Sequence, residues 1–250
     1  MEITPGNCLN AARAAAAIAW VRGSGSTRKM AEITFVGLGL YPTLRRNCSW
    51  HGPVVRRFRT TERAVWLTID DGPDARSDYL ELLSEHRAKA SFFVVGRRVD
   101  AFRPAVRRMV EDGHTVENHS YSHPVGSWWA MPPWRIRSEI DSCSHAIRVA
   151  AGASPVFFRS PVGMCNPWVH AAARRAGLVV VGWSASGGDG CRRAPTDIVD
   201  RIFRKISPGA IVLLHSGERS RHRSLTLSLF LRRLADEGYA CVLPPMESLE

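Results

Sequence analysis

No run in the 250 residues approaches the ~20 consecutive apolar positions that a membrane-spanning helix needs, which argues against an embedded membrane protein. The six cysteines (Cys8, Cys48, Cys143, Cys165, Cys191 and Cys241) lie far apart and form no C-x-x-C pair. Neither a zinc finger nor a dense disulfide framework is therefore indicated, and the cysteines read as isolated thiols. The basic start of a secretory signal is missing too, because Glu2 is the only charge before Arg13. Location stays open on this ground, with a cytoplasmic or membrane-peripheral placement favoured. Lysine is scarce, with Lys29, Lys89 and Lys205 the only three, so arginine supplies nearly all the positive charge. No recognition helix, zinc-finger spacing or basic-aromatic stacking motif occurs, and nucleic acid is not an expected partner.

What is present is 45% hydrophobic residues in a chain long enough for one large domain or two small ones, which supports a proper core. Thirty-four Lys plus Arg stand against 23 Asp plus Glu, a net charge of +11. The excess is uneven: residues 1–64 carry ten basic and three acidic side chains, net +7, and residues 65–250 carry 24 and 20, net +4. The charge therefore bears on how the N-terminal segment meets an acidic partner or makes peripheral contact with a membrane surface, and little on the chemistry further along. Within that segment Ala11–Val21 is Ala-rich and Gly23-Ser24-Gly25-Ser26 reads as flexible. Ile33–Tyr41 is apolar but short, suiting a strand, an interfacial anchor or the remnant of a hydrophobic leader. Residues 1–29 are expected to be dispensable.

From residue 65 the texture changes to short apolar runs alternating with helical patterns. Val65–Ile69 precedes Tyr79–His86, Ser91–Val95 precedes Pro104–Glu111, and Thr115–Glu117 precedes a longer helix with Ile136, Ile140, Cys143 and Ile147 on one face. Val156–Phe158, Val169–Ala176, Leu178–Trp183, Ile198–Ile206, Ala210–Leu214, Leu225–Leu234 and Tyr239–Leu243 complete the series. Gly113, Gly177 and Gly238 stand where three of these helices should stop. Strand and helix alternating about seven times predict a parallel α/β sheet, either a barrel or an open doubly wound sheet.

The unusual polar residues follow the apolar runs directly. Asp70-Asp71 follows Leu67–Ile69, His119 and His123 follow Thr115–Glu117, Arg159 follows Val156–Phe158, and His215 follows Ile211–Leu214. In a parallel sheet these positions gather at the carboxyl ends of the strands, where α/β folds place their sites. Asp70-Asp71-Gly72-Pro73 turns the chain so that two carboxylates can face one cavity, tolerable beside a cation; alone it would equally serve as an acidic turn before a helix. His119 and His123, in a loop ended by Pro124, would alone pass for surface histidines. With the upstream Asp pair they offer two imidazoles and a carboxylate, a donor set that suits zinc and also Co2+, Ni2+ or Fe2+. Arg159 is a permanent cation able to hold Asp70 ionised, or else a structural ion-pair partner. His215 has the pKa range of a general acid or base, or else is a satisfied core histidine.

Thr68-Ile69-Asp70-Asp71-Gly72-Pro73, His119-Ser120-Tyr121-Ser122-His123-Pro124, Arg159-Ser160-Pro161-Val162-Gly163 and Leu213-Leu214-His215 resemble, in this order and spacing, the first, second, third and fifth motifs of the polysaccharide deacetylase family. This is the NodB homology domain of carbohydrate esterase family 4, and the likeness is to its chitooligosaccharide deacetylases, over roughly Val65 to Pro244. The resemblance implies a distorted (β/α) barrel of about seven strand-helix units. It implies a catalytic domain at 63–250 behind a basic, Ala-rich segment, 1–62, that is partly disordered or interfacial. It further implies a hydrolase of carbon–nitrogen, non-peptide amide bonds that removes N-acetyl groups from N-acetylglucosamine-containing oligo- or polysaccharide. Asp71, His119 and His123 are then the ligands of a divalent metal, usually zinc. Asp70 is the base that activates water, Arg159 its charge partner, and His215 the acid for the departing amine. Pro161, Val162, Trp183 and Leu213 fall at substrate-binding positions, with Val162 near the oxyanion donor.

The family's fourth motif, Asp-x-x-Asp-Trp, aligns with Ser186-Gly187-Gly188-Asp189-Gly190. On that alignment Ser186 replaces the aspartate that orients the catalytic histidine, and Gly190 replaces a tryptophan of the pocket wall. Val162 stands for an aromatic residue and Ser216 for an aspartate. These departures keep two other readings in view: hydrolysis of another linear or formyl amide on the same scaffold, and a catalytically weakened glycan-binding homologue.

Overall fold

The computed structural model describes residues 5–74, 78–191, 193–216 and 222–250. Glu2, and Gly217 two residues past Leu213-Leu214-His215, lie outside them. Two helices come first, α1 (Pro5–Arg22) and α2 (Ser26–Leu44). Alanine, the strongest helix former, fills the middle of α1. Gly23-Ser24-Gly25-Ser26 is a tight connection rather than a loose one: the Gly23 N–H donates to Ala19 O at 2.8 Å and the Thr27 N–H to Ser24 O at 3.1 Å. Ile33–Tyr41 lies inside α2, not in a strand. With no sheet edge beside it, the segment meets its backbone hydrogen-bond demand locally, as a helix does. Leu9, Ala16 and Ala31 are buried in the hairpin, while Ile33, Phe35, Val36 and Leu40 are exposed. No described helix is long and apolar enough to cross a membrane.

The sheet is built from β1 (Ala64–Asp70), β2 (Ala90–Val94), β3 (Thr115–Asn118), β4 (Phe157–Phe158), β5 (Val179–Val180), β6 (Ala185–Ser186), β7 (Ala210–His215) and β8 (Ala240–Cys241). Its order is β5-β4-β3-β2-β1-β7-β6, with β8 beside the start of β1, and every pairing between these strands is parallel. Parallel neighbours require crossovers, and helices supply them: α3 (Asp78–Glu85), α4 (Gly96–Ala101) with α5 (Arg103–Glu111), α6 (Pro133–Ala151), α7 (Val169–Arg175), α8 (Pro195–Phe203) and α9 (Arg223–Asp236). The result is a curled half-barrel, with β5 and β6 at the two ends of the hydrogen-bonded order. α4 and β6 have no sequence signature of their own. Six residues with one apolar side chain buried, Val99, and a two-residue strand are too short to display a period.

Every residue of β1 and β2 is buried, as expected of central strands covered on both faces. Ile136, Ile140, Cys143 and Ile147 all point into the core from α6. Truncating one of these isoleucines to alanine would cost about 2–5 kcal/mol in lost transfer energy and cavity formation. Trp66 is fully buried, and its indole N–H is satisfied by Ser91 Oγ at 2.7 Å. Gly113, Gly177 and Gly238 follow α5, α7 and α9 with φ of 78°, 73° and 70°, the left-handed conformation that ends a helix.

Packing against the sheet begins well before residue 63. The Val55 N–H donates to Val180 O at 3.0 Å and the Gly182 N–H to Val55 O at 2.8 Å. The Phe58 N–H donates to Gly209 O at 3.0 Å, and the Phe58 side chain is buried beside Trp66, Phe93 and Ile211. Residues 55–58 thus tie the end of β5 to the start of β7.

Candidate active site

The register of the sheet assembles the site. Asp70 ends β1 and pairs with His215, the last residue of β7, on one side and with Phe93 of β2 on the other. Asn118 ends β3 opposite Phe158 of β4, so His119 and Arg159 leave the sheet side by side. The structure therefore brings Asp70, Asp71, His119, His123, Arg159 and His215 to one rim.

Arg159 is wholly buried. Its Nη1 donates to Asp70 Oδ1 at 2.7 Å and to Thr68 Oγ1 at 2.8 Å, its Nη2 to Gly182 O at 2.7 Å, and its Nε to Val181 O at 3.3 Å. The guanidinium also lies 4.2 Å from the centre of the Phe93 ring. Burial pulls its pKa down and the Asp70 charge and hydrogen bond offset only part of that, yet guanidinium remains a cation. Such a pair, fully hydrogen-bonded, fixes where the Asp70 carboxylate points.

Asp71, His119 and His123 each offer one ligand atom, and these atoms lie within 4.8 Å of one another. Asp71 Oδ1 is 3.6 Å from His119 Nε2 and 3.4 Å from His123 Nε2. His119 Nδ1 lies 2.7 Å from the Arg159 carbonyl, which can only accept, so Nδ1 carries a hydrogen and Nε2 is the atom turned toward Asp71. Burial, with the neighbouring His119, pulls the His123 pKa down to about 4 against the opposing pull of Asp71 and Asp70, leaving a neutral imidazole at neutral pH. Burial raises the Asp71 carboxyl, but three imidazoles and Arg98 outweigh it and the net shift is downward. Asp71 Oδ1 is buried without a hydrogen-bond partner. A buried carboxylate oxygen without a hydrogen-bond partner, facing the Nε2 atoms of two imidazoles, fits a divalent cation.

The backbone here is strained in a way that concentrates at functional positions. Asp71, Ser120, His123 and Val162 all have positive φ, of 73°, 66°, 54° and 51°. Val162 is β-branched, for which this conformation is a true outlier. It sits in the single turn Pro161–Gly163 that follows Arg159.

His215 does not lack an orienting carboxylate. The fourth-motif alignment puts that role at position 186, where serine stands, whereas the structure supplies it from Asp189. Asp189 is buried, and its two oxygens accept from the His215 backbone N–H at 2.6 Å and from His215 Nδ1 at 2.9 Å. Burial alone would lower the His215 pKa, but the Asp189 charge and hydrogen bond, joined by Asp70 and Asp71, raise it to about 9. Ser186 instead accepts a loop bond, from the Gly188 N–H. Ser216 caps Asp70 from behind, its N–H and its hydroxyl both donating to Asp70 O at 2.9 and 3.1 Å.

Of the residues expected at substrate-binding positions, Pro161 and Leu213 are buried, and Leu213 shares a strand face with His215 two residues on. Trp183 lies over the backbone of Gly163, where a Cβ would come within 2.6 Å of the indole, and 5.8 Å from the Arg159 guanidinium. Open space surrounds the Cβ position of Gly190. Two further residues carry the histidine loop. Glu139 of α6 accepts from the Ser122 N–H at 2.7 Å and the Ser122 hydroxyl at 2.6 Å. Asn118 accepts from the Ser120 N–H at 2.9 Å and donates to Ile140 O at 2.8 Å. A Glu within an amphipathic helix has no distinguishing signal in sequence.

The profile of the polysaccharide deacetylase family matches residues 58–181. A chitooligosaccharide deacetylase of Bradyrhizobium sp. (strain ANU 289) is 41% identical over 158 residues, covering 62% of this chain and 71% of the relative. Among solved structures, a family 4 carbohydrate esterase from Streptomyces lividans in complex with acetate superposes with a TM-score of 0.68 at 27% identity, covering 74% of this chain and 95% of that one. A mutant of BA3943, described as a CE4 family pseudoenzyme with restored enzymatic activity, superposes with a TM-score of 0.67 at 29% identity over 76% of this chain and 68% of that one.

Proposed function

The chain belongs to the polysaccharide deacetylase family, and we propose that its site removes N-acetyl groups from N-acetylglucosamine-containing oligo- or polysaccharide in a metal-dependent hydrolysis. The observation that carries this reading is the convergence of the Asp71–His119–His123 trio with two separately braced groups, Asp70 held by Arg159 and His215 held by Asp189.

Asp71, His119 and His123 would hold the divalent metal, with zinc the ion we favour. Bound there, such an ion polarises a carbonyl and makes water a stronger acid. Asp70 takes the proton of the attacking water, and Arg159 keeps that carboxylate aimed. The backbone N–H at Val162 receives the oxyanion that develops on the acetamide, its donor direction set by the left-handed turn. His215, protonated and held by Asp189 through Nδ1, delivers a proton from Nε2 to the departing sugar amine. Leu213 and Trp183 bound the acetyl methyl. Gly190 leaves the pocket wide where the family places a tryptophan.

The intact Asp70, Asp71, His119, His123 and His215 set favours catalysis over a weakened binding role. The peripheral membrane contact expected of the N-terminal segment finds no support among the relatives, and the reading rests on the saccharide alone. Incubation of zinc-reconstituted protein with N-acetylchitooligosaccharides tests it. Acetate release that chelation abolishes is expected. Formate release from formyl amides without acetate release would favour the rival amide, and tight glycan binding without turnover the weakened homologue.

A further inference from the structure

Large aromatic side chains are normally well covered, yet besides Trp20 of the N-terminal hairpin, 42% exposed, three tryptophans that follow β3 are not. Trp129, Trp134 and Trp168 are 40%, 69% and 50% exposed. Topology puts all three on the rim that carries the site. β3 and β4 are parallel and end just before His119 and Arg159, and the helices that follow them, α6 and α7, start from that end and run back. Trp134 is in the first turn of α6, Trp168 immediately precedes α7, and Trp129 lies in the turn between His123 and α6.

The three are also mechanically joined. Asn166, buried, accepts from the Trp168 N–H at 3.0 Å and donates to Met131 O at 3.0 Å, binding the loop that precedes α7 to the loop that precedes α6. Trp129 is fixed by its own indole N–H, which donates to Gly126 O at 3.2 Å. The neighbouring Trp128 is buried and donates to Ser160 Oγ at 2.6 Å, one residue from Arg159, while its backbone N–H donates to Pro124 O, one residue from His123. The exposed rings thus stand on a frame anchored at both the metal-ligand loop and the Arg159 turn.

We infer that Trp129, Trp134 and Trp168 form a stacking platform for saccharide units beyond the one whose acetamide is cleaved, so that affinity rises with chain length; this rests on the function proposed above. Pyranose rings present apolar C–H faces edged by hydroxyls, and an exposed indole offers an apolar face with a polar edge. Three rings are far too few for a stable protein interface, which takes about 20–30 residues a side. Their continuity with the catalytic rim makes the remainder of the substrate the fitting occupant.

The test uses the full chain and its Trp→Ala variants at 129, 134 and 168, singly and together. Titrations with N-acetylchitopentaose and with N,N′-diacetylchitobiose follow tryptophan fluorescence, and acetate release follows turnover on each. The pentasaccharide is expected to bind more tightly than the disaccharide. In the triple variant that preference should shrink roughly tenfold or more, the scale on which truncating a tryptophan at a binding site acts. Trp→Phe variants, which keep an aromatic face, should restore much of it and exclude misfolding as the cause. Equal losses on both sugars, or an unchanged preference, would overturn the platform while leaving acetate release, and hence the proposed function, intact. Length-dependent binding lost in the variants, without acetate release from any sugar, would uphold the platform and sink the function. Self-association of the wild type that the triple variant abolishes, with no saccharide preference, would make the rings an interface between copies and also overturn the proposal.

Discussion

Asp189 holds His215 at two points, accepting from its backbone N–H at 2.6 Å and from its ring Nδ1 at 2.9 Å. One bond fixes the strand end and the other fixes the tautomer, so that Nε2 faces the site whichever charge state the ring is in. Asp189→Asn keeps the size but presents Nδ1 with a neutral amide. Turnover is expected to fall by about 10²–10⁴-fold, as when an orienting carboxylate is neutralised, with metal content unchanged. The pH profile supplies a second readout. In the proposed mechanism the working acid is protonated His215, whose pKa is raised to about 9, so activity is expected to be lost as pH rises through that value. Removing the Asp189 charge removes the main upward pull, and the alkaline limb should move to lower pH. A limb left in place would separate His215 from the proton transfer.

The brace between Arg159 and Asp70 makes a different prediction. In Asp70→Asn the amide oxygen can still accept from Arg159, so the fold and the metal should be retained while turnover falls by about 10²–10⁴-fold, the usual worth of a general base. His119→Ala should instead lose the metal. Metal analysis beside acetate release separates the two, and equal metal loss in both would reverse the assigned roles. Arg159→Met leaves Asp70 buried and unpaired, at a cost of about 3–5 kcal/mol readable in denaturant unfolding.

Glu139 touches no proposed ligand, yet its carboxylate takes both polar hydrogens of Ser122, the residue before His123. Glu139→Ala should free the loop and weaken metal affinity by about 10–100-fold, the effect of removing an outer partner of a metal ligand. Glu139→Gln, which keeps one acceptor oxygen, should recover part of it. Metal titration by calorimetry checks both, and unchanged affinity in the alanine variant would reduce the contact to surface packing.

Why Asp70, His119, Arg159 and His215 are legible in sequence, and Asp189 and Glu139 are not, has a physical answer. The first group directly follows apolar strand runs, and a parallel sheet collects the carboxyl ends of its strands whatever the loops do. The α6 face of Ile136, Ile140, Cys143 and Ile147 is legible for the same reason, a fixed period expressed over several turns. Asp189 lies beyond a two-residue strand and a Gly187-Gly188 turn. A Cβ on Gly187 would come within 2.3 Å of Ile198 O, and Gly188 has φ 75°. That close turn returns the chain so that position 189, not 186, reaches His215. No periodicity encodes such a path, and the Asp-x-x-Asp-Trp pattern alone does not say which of its two aspartate positions, 186 or 189, reaches His215. Glu139 is chosen by its tertiary partner, which sequence spacing within α6 does not record.

The start of the catalytic fold is tested at Gly209. A boundary near residue 62 leaves Phe58 outside the domain, but Phe58 is buried in the core and hydrogen-bonded to Gly209 O. A Cβ at position 209 would lie 2.0 Å from Phe58 O, on a residue with φ 78°. Gly209→Ala must therefore either push residues 55–58 off the sheet or distort the entry to β7, which ends at His215. Adverse backbone conformation alone costs about 1–3 kcal/mol. At roughly 2–4 °C per kcal/mol for a domain of this size, the melting temperature should drop by several degrees. Truncation before residue 63 should destabilise at least as much, because it removes Val55 and Phe58 together. A truncated protein that melts like the full chain would place the boundary back at residue 62 and leave residues 55–58 as a dispensable strap.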